Sequence, residues 1–421
     1  QFSARARAAN FSEHDLNDAI DLAHAHGVRV HLALNTLLTD GEGPAALQLA
    51  REAAAAGIDA LIVQDIGLAA RLRQILPQLP LHASTQMTVG SADGLRWLAS
   101  LGFSRVILAR ELSLPEIRSL NRLAADLRLE TEIFVHGALC TSYSGQCYLS
   151  QLQGGRSGNR GDCAQPCRML YRLTEADSGR VVSPPSVSSG QQDDRTSLFP
   201  WLSPRDQGLW QHLDAIQAAG VTSLKIEGRM RDPDYVETVT AVYRDLLDQT
   251  VDLGDRAVRR ELETRLLLAF NRGGALTDRH LTDNRKQTIR SGAISGRHGL
   301  HLGTVSRINA ERGQLIVGHL TDLARQRPPQ AGDLLLIRRD GQDEAIASAP
   351  LGRIETQPGQ LTILGFHPQI LRTLSSGDQV YQLSDSRGGD SRPERGKVHL
   401  RAHLHKTTSV TIVLTLTVLN R

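Results

Sequence analysis

Cys140, Cys147, Cys163 and Cys167 are the whole thiol content of 421 residues, and they fall within a window of 28. Cysteines used as small buried hydrophobes scatter among core elements, so this clustering asks for a shared centre. The spacing is C-x6-C-x15-C-x3-C, and several chemistries use thiols set this way. A [4Fe–4S] cluster takes four thiolates from irregular loop spacings that include a wide gap. Structural zinc takes four in a tetrahedron, usually through C-x2-C knuckles that this window lacks. A nucleophilic cysteine with His136 as its base leaves three thiols unexplained. Two disulfides belong to an oxidising compartment, and a long, cysteine-poor chain gives no other sign of one.

The second chemical stretch is SLKIEGRMR, residues 223–231. On a strand, side chains alternate, so Leu224 and Ile226 face one way while Lys225, Glu227 and Arg229 face the other. The apolar pair suits a helix layer, and the charged triplet then points inward, where isolated charges are costly. Such a triplet is an internal ion-pair network or a set of groups that bind an anion and move protons. Lysine is scarce: Lys225, Lys286, Lys397 and Lys406 are the four, leaving 44 arginines among 48 basic residues. A lysine kept inside a strand under that bias suggests a point charge that a guanidinium fork does not replace. The same alternation groups Glu132, Phe134 and His136, with His136 either a satisfied buried histidine or an acid–base group. Lys225, Glu227, Arg229 and His136 are therefore the candidate catalytic residues. Ser84 and Gln86 are expected to line the same lumen or to pack in the core. Asn159 and Arg160, between the cysteine pairs, are candidates to hold a phosphate or a carboxylate, or to close the loop.

Strand-like runs that alternate with helical stretches must position these groups. VRVHLALN (28–35), DALIVQD (59–65), LHASTQM (81–87), RVILARE (105–111), TEIFVHG (131–137) and TSLKIEGR (222–229) are each followed or preceded by an amphipathic segment. That alternation predicts parallel βαβ units. Without a Gly-rich dinucleotide turn, a TIM-like (β/α) barrel is favoured over a Rossmann sheet. The cysteine window would follow the C-terminal end of TEIFVHG, the face where barrel enzymes assemble their sites. Boundaries are expected at 1–250 for the barrel with its cysteine loop at 136–168, 251–296 for a helical connector, and 297–385 for a small all-β domain. Residues 386–421 read as a charged linker and the first strand of a further domain. The Pro/Ser-rich stretch 178–200 reads as a surface insertion.

Formal charge is +3, from 48 basic and 45 acidic residues. The arginine bias reflects either phosphate recognition or an arginine-favouring genome, and composition does not choose between them. No run of 18 apolar residues is present, so no membrane span is expected. A cytoplasmic location is favoured because an extracellular disulfide scaffold would be short and cysteine-dense, which this chain is not. The chain opens on Gln1 and is amphipathic by residue 15, which reads as a piece of a longer protein whose barrel lacks its first unit.

EIFVHGALCTSYSGQCYLS (132–150) followed by NRGDCAQPCR (159–168) resembles the signature of the collagenase-like peptidases of unassigned type, family U32. FSARARAANFS (2–12) and LSPRD…SLKIEGRMRDPDYV (202–236) resemble its other blocks, so the likeness spans about 1–250. Thr141 departs from the pattern, standing where an apolar residue is expected, and it is expected to touch none of the thiol ligands. The resemblance implies more than the family's title. Several members are oxygen-independent hydroxylases with a [4Fe–4S] cluster on these cysteines, acting on quinone precursors, tRNA wobble uridine or a cytidine of large-subunit ribosomal RNA. The nucleic-acid branches imply prephenate as the hydroxyl source. The long ribosomal-RNA branch, which forms 5-hydroxycytidine in 23S RNA, is the preferred reading because this chain continues past its barrel. Peptidase activity is the alternative, although the sequence carries neither H-E-x-x-H nor G-x-S-x-G. If RNA is the partner, the β region with Arg307, Arg312, Arg325, Arg327, Arg338 and Arg339 is expected to hold flanking nucleotides.

Overall fold

The computed structural model describes residue 2 and residues 13–182, 198–228, 231–284, 289–291, 296–339, 345–384 and 415–417. Helix α1 (Glu13–Ala25) precedes five strand–helix steps: β1 (His31–Leu34) and α2 (Gly43–Ala55), β2 (Ala60–Val63) and α3 (Ile66–Ile75), β3 (Leu81–Ala83) and α4 (Ala92–Ser100), β4 (Arg105–Ile107) and α5 (Leu114–Asp126), then β5 (Glu130–Ala138) and α6 (Leu149–Gly154). Helix starts are written in the sequence. Asp65 accepts from the Leu68 amide, Ser91 from the Gly94 amide, and Ser113 with Glu116 forms a capping box ahead of Pro115. After a two-stranded ribbon of β6 (Tyr171–Arg172) and β7 (Leu198–Phe199) come β8 (Asp206–Gly208), α7 (Leu213–Ala218), β9 (Ser223–Ile226), α8 (Pro233–Leu247) and α9 (Arg256–Ala269). Strand β10 (Leu276–Thr277) then returns to pair parallel with β8, ahead of α10 (Arg279–Thr282), so the segment expected as a helical connector also contributes to this sheet.

Strands β1 to β5 pair in order and in parallel, and β9 joins β5 in parallel. Strand β8 pairs antiparallel with the end of β5. A short strand β18 (Thr415–Thr417) lies antiparallel on β9, and the rest of the segment expected to begin a further domain lies outside the described residues. The chain is thus mixed α/β around a parallel sheet, whose ladder is not closed into a ring among the described residues. None of the described helices is long and apolar enough to cross a membrane.

The two faces of the parallel sheet differ in kind. Leu61, Val63, Leu81, Val106, Ile133, Val135 and Leu224 are buried against the helices in one large apolar core. The opposite face carries a small apolar patch of Ile62, Ile107 and Phe134, flanked by buried His31, His82, Arg105, Glu132 and Ser223. Register places them side by side, since Ile62 is opposite His82, His82 opposite Arg105, Ile107 opposite Glu132, and Phe134 opposite Lys225. Glu132 is the hub. One carboxylate oxygen accepts from Lys225 Nζ at 2.8 Å, the other from Ser223 Oγ at 2.9 Å and Arg105 Nη1 at 3.4 Å. Arg105 also donates to Glu130 through Nε at 2.8 Å.

A second sheet runs antiparallel in the order β14 (Ala345–Pro350), β13 (Leu334–Arg338), β17 (Gln379–Gln382), β11 (Leu300–Asn309), β12 (Gln314–Gly318), β16 (Gln360–Leu364) and β15 (Arg353–Gln357). Short helices α11 (Asp322–Gln326) and α12 (Pro368–Leu371) pack beside it. Its own core includes Val305, Leu315, Val317, Leu335, Ile337, Ile363 and Val380. Four of these strands are legible as Gly-bounded apolar runs; β14, β15 and β17 are not, because their exposed or short patterns lack one.

The buried histidines make stability pH-dependent. Burial pushes His31 down to about 4 and His82 to about 2, with Arg105 adding to both shifts. The unfolded chain therefore binds more protons below the ordinary histidine value near 6.5, and stability falls as pH drops from there toward the folded values. Glu132 behaves differently: burial raises its pKa, but Lys225 and Arg105 outweigh that and leave it at about 2. Its contribution is thus intact above about pH 4.5 and is lost only toward pH 2. The expected outcome is a urea midpoint that decreases between pH 7 and pH 5, with a shallower slope in His82→Gln; an unchanged slope would contradict the buried, neutral state of His82.

Candidate active site

The C-terminal end of β5 turns sharply at Gly137. Its φ is +110°, and a Cβ there would lie 2.8 Å from the Glu227 carbonyl oxygen and 3.2 Å from Tyr235 Oη, so glycine is required. The chain then enters the cysteine loop, which is fastened across the mouth of the sheet. Glu111, after β4, accepts from the Ser144 amide at 2.8 Å and from its hydroxyl at 3.2 Å. Thr88, after β3, donates to the Ser144 carbonyl and accepts from Gln146 at 3.2 Å. Gly145 (φ +71°) lies so close to Gln86 that a Cβ would stand 2.3 Å from its carbonyl oxygen. The buried Arg168 guanidinium donates to Leu139 O and Ser203 Oγ, each at 3.0 Å.

Asn159 and Arg160 take part in the same fastening. With the amide oriented to satisfy its donors, Asn159 reaches the Cys147 carbonyl at 3.1 Å and the Gly145 carbonyl at 3.2 Å. Arg160 donates to the Leu37 carbonyl at 2.7 Å and pairs with Glu42, tying the loop to the segment after β1. Glu42, half-buried, is held at about 2 by the Thr39 amide and by Arg160. Of the two uses open to these residues in the sequence, loop closure is the one their contacts display.

All four thiols are free, Cys140 exposed and the others half-buried. They lie in one another's electrostatic reach: surrounding protein raises the Cys140 thiol and Cys147 and Cys167 add to it, while Cys163 and Cys147 act likewise on Cys167. Backbone amides point at the sulfurs, from Gln165 to Cys163 at 3.3 Å and from Ser142 to Cys140. Gln165 adopts φ +57° in that turn. Thr141, the departure from the family pattern, hydrogen-bonds with Cys167 and donates to the Leu202 carbonyl at 2.8 Å. The expectation that it stands clear of the ligands is corrected. Amide donors aimed at sulfur suit thiolates that carry a metal centre. Among the described residues no three His, Cys, Asp or Glu side chains are gathered tightly enough to hold a single ion. One tetrahedral zinc would draw its sulfurs to within about 3.8 Å of each other, whereas a cluster spreads its thiolates over different irons.

Below the loop, Lys225 is held by Glu132, with Nζ also 5.4 Å from the centre of the Phe134 ring. Glu227 lies just beyond β9 and faces Arg110 at 3.5 Å. Arg110 stacks on Phe134 at 3.6 Å and donates to the Ala138 carbonyl. Arg229 lies outside the described residues. His136 does not continue the face of Glu132 and Phe134. Register with β9 slips between Phe134 and His136, and the imidazole lies against Tyr243 and Tyr235 of α8. Tyr243 Oη is 3.4 Å from His136 Nδ1, Nε2 has no hydrogen-bond partner among the described residues, and burial with the Arg231 charge lowers the group to about 3. Ser84 is buried and accepts from Asn35 at 3.2 Å, and Gln86 braces Gly145 through its backbone.

Arg110, Glu111, Arg168, Asp206, Arg231 and Arg272 were not singled out by sequence. Arg110 and Glu111 end the run RVILARE, where a charged pair after an apolar strand is a signal; Arg272 carries none. Of the six arginines expected to grip RNA, four are engaged within the chain: Arg325 with Asp322, Arg327 with Glu261, Arg339 with Asp378, and buried Arg338 with His298. Arg307 and Arg312 are exposed.

The docking makes a sharp prediction. Gly145→Ala adds both a left-handed strain and a backbone clash, so it should cost more than about 1 kcal/mol and speed thiol labelling of the loop. Gly155→Ala, also at positive φ (+68°) but with nothing within 4 Å of its Cβ, should cost less. Denaturant melts and labelling rates compare the two; equal effects would mean that the Gln86 contact does not hold the loop.

Comparison with known proteins gives a consistent set of relatives. The sequence profile of Peptidase family U32 matches residues 1–291. The 23S rRNA 5-hydroxycytidine C2501 synthase of Escherichia coli (strain K12) is 42% identical over 251 residues, covering 60% of this chain and 35% of that protein. The tRNA hydroxylation protein P1 of Bacillus subtilis (strain 168) is 31% identical, covering 59% of this chain and 56% of its own. A protein named Collagenase from Porphyromonas gingivalis (strain ATCC BAA-308 / W83) is 30% identical, covering 75% and 77%. The chain spans about a third to just over half of the length of the first two.

Proposed function

The chain belongs to peptidase family U32, and from that premise we propose that it is an RNA-modifying hydroxylase of the cytoplasm. Its substrate is a cytidine of 23S ribosomal RNA, which it converts to 5-hydroxycytidine without oxygen, with prephenate as the hydroxyl source. The similarity to the ribosomal-RNA synthase, at 42% identity over 251 residues, carries this reading. The parallel strands, with a polar inner face, support a TIM-like (β/α) barrel followed by a small all-β domain.

In this proposal Cys140, Cys147, Cys163 and Cys167 hold a [4Fe–4S] cluster, supported by the free thiols and the amides directed at them. The cluster supplies one-electron redox chemistry when bound. The chain's own residues do the rest. Glu132 keeps the Lys225 ammonium fixed beside Phe134, so a positive point charge faces the mouth without reorganising. Glu227 orients Arg110 on the same ring, offering a planar donor for the base or for an acidic group of the co-substrate. The target base must leave its stack to reach this pocket. His136, buried and neutral near pH 7, positions β5 against α8 and carries no imidazolium proton to donate.

A second reading follows from the Collagenase relative, which matches 75% of this chain. Anaerobic purification with iron, sulfide and zinc analysis tests the centre; about four irons per chain is expected, and stoichiometric zinc without iron would reject the cluster. Nucleoside mass spectrometry of ribosomal RNA from a deletion strain carrying this chain tests the activity. Restored 5-hydroxycytidine, lost again in Lys225→Met with iron content unchanged, is expected. Gelatin cleavage without any hydroxylated nucleoside would favour the peptidase instead.

A further inference from the structure

Most of the large apolar side chains exposed among the described residues lie on or beside the cysteine loop, from Tyr143 to Leu202. Tyr143 and Tyr148 are 68% and 65% exposed, and they bracket Cys147 and the turn at Gly145. Leu152, at 81%, lies one turn along α6 on the face of Tyr148, whose carbonyl accepts the Leu152 amide at 2.9 Å. The backbone under the two rings is fixed. The Tyr143 carbonyl accepts from the Gln146 amide at 3.0 Å, Glu111 holds Ser144, and Asn159 reaches the carbonyls of Gly145 and Cys147. The rings themselves are not tied down: among the described residues neither hydroxyl has a hydrogen-bond partner and neither ring packs on another.

A second observation concerns the polar groups on the same loop. Arg156 pairs with Asp162 at 3.2 Å, and Arg160 pairs with Glu42. Gln151 and Gln165 are exposed, and their side-chain amides have no partner among the described residues. The surface is therefore aromatic and amide in character, with these cations already engaged. Clustered exposed apolar side chains on a folded protein mark a place of interaction. Unstacked nucleobases, with apolar faces and hydrogen-bonding edges, are the complement of such a surface. A phosphate backbone is not, because it needs free cations to replace its counterions.

We propose that Tyr143 and Tyr148 are stacking platforms for unpaired bases beside the modified nucleotide, so that the cysteine loop holds RNA by its bases and not by its phosphates. This rests on the RNA reading of the protein's function. The loop is fastened across the mouth of the sheet, so a base stacked on it lies next to the opening that the target base must enter. A tyrosine ring stacks on any base, which gives grip without strong sequence preference. The amides of Gln151 and Gln165 add donors and acceptors for base edges. The two tyrosines are positioning residues and move no proton. They take the role expected of the arginines on the second sheet, four of which are engaged within the chain.

The test measures binding of the full chain, purified without oxygen, to a mixed-sequence single-stranded RNA by fluorescence anisotropy. Tyr143→Ala and Tyr148→Ala should each weaken binding roughly tenfold, the loss expected for one base stack. Tyr143→Phe and Tyr148→Phe should keep the wild-type affinity, because the ring is what stacks. Tyr143→Leu and Tyr148→Leu, apolar but without a ring, should fall with the alanine variants. The dependence on sodium chloride should be the same in all of them, with iron content and melting temperature unchanged. If an alanine variant loses iron or does not fold, the phenylalanine and leucine pair decides. Undiminished RNA affinity in both alanine variants, or leucine equal to phenylalanine, would overturn the platforms and leave the RNA reading standing. No RNA binding by the wild-type chain would overturn that reading, and the platforms with it. A loss in the alanine variants that is confined to gelatin binding would make the rim a protein surface and reject the proposal.

Discussion

The buried Glu132 carboxylate is the constraint on which the parallel sheet depends. It sits on the central strand β5, wholly enclosed, and it ties β9 through Ser223 and Lys225 to β4 through Arg105. A charge moved from water into protein loses several kcal/mol of hydration, and only close partners return it. Each of those partners is fixed by strand register, so a one-residue slip of β4 or β9 would leave a naked charge inside the sheet. An apolar inner face would pack as well and tolerate slippage. The charged one specifies a single register, and the candidate site inherits its geometry from that choice.

The loop above it obeys the same logic of distant partners. It is fastened to residues after β1, β3, β4 and before β8 through Leu37, Gln86, Glu111 and Ser203. A glycine-rich segment of this length is expensive to order on entropy grounds alone. Those contacts, each made to a different strand end, keep four thiols in one neighbourhood.

Much of the frame was legible. Strand-like runs alternating with amphipathic segments marked all six parallel strands. The cysteine spacing announced its loop, and strand alternation placed Lys225 on the inner face. Alternation failed at His136 because the register slips one residue earlier, an event that no side-chain pattern records. Arg272 was invisible for a different reason: its partner Asp206 is 66 residues away, and only the return of β10 beside β8 brings that region close. Short, exposed β14 and β15 were missed because their stability comes from neighbours, not from their own composition.

The arginine bias acquires a meaning from where the guanidiniums lie. Arg105, Arg168, Arg272 and Arg338 are buried: Arg105 reaches Glu130 and Glu132 of β5, Arg168 joins Leu139 to Ser203 and Pro204, Arg272 pairs with Asp206, and Arg338 reaches His298 and the Arg297 carbonyl. Five donors on a planar fork can satisfy carbonyls and carboxylates together, which an ammonium with three cannot match in reach. Arginine here closes loops and joins strands; four of the six arginines singled out on or beside the second sheet are engaged within the protein, while Arg307 and Arg312 are exposed. Lys225 is the exception that the rule explains. Beside Glu132 the space is shared with Arg105 and Phe134, and a compact charge on a flexible stem reaches the carboxylate at 2.8 Å while still lying near the ring. A guanidinium there would compete with Arg105 for the same oxygens. Among the described residues the one lysine of the inner face, Lys225, is thus set by the arginine already next to it.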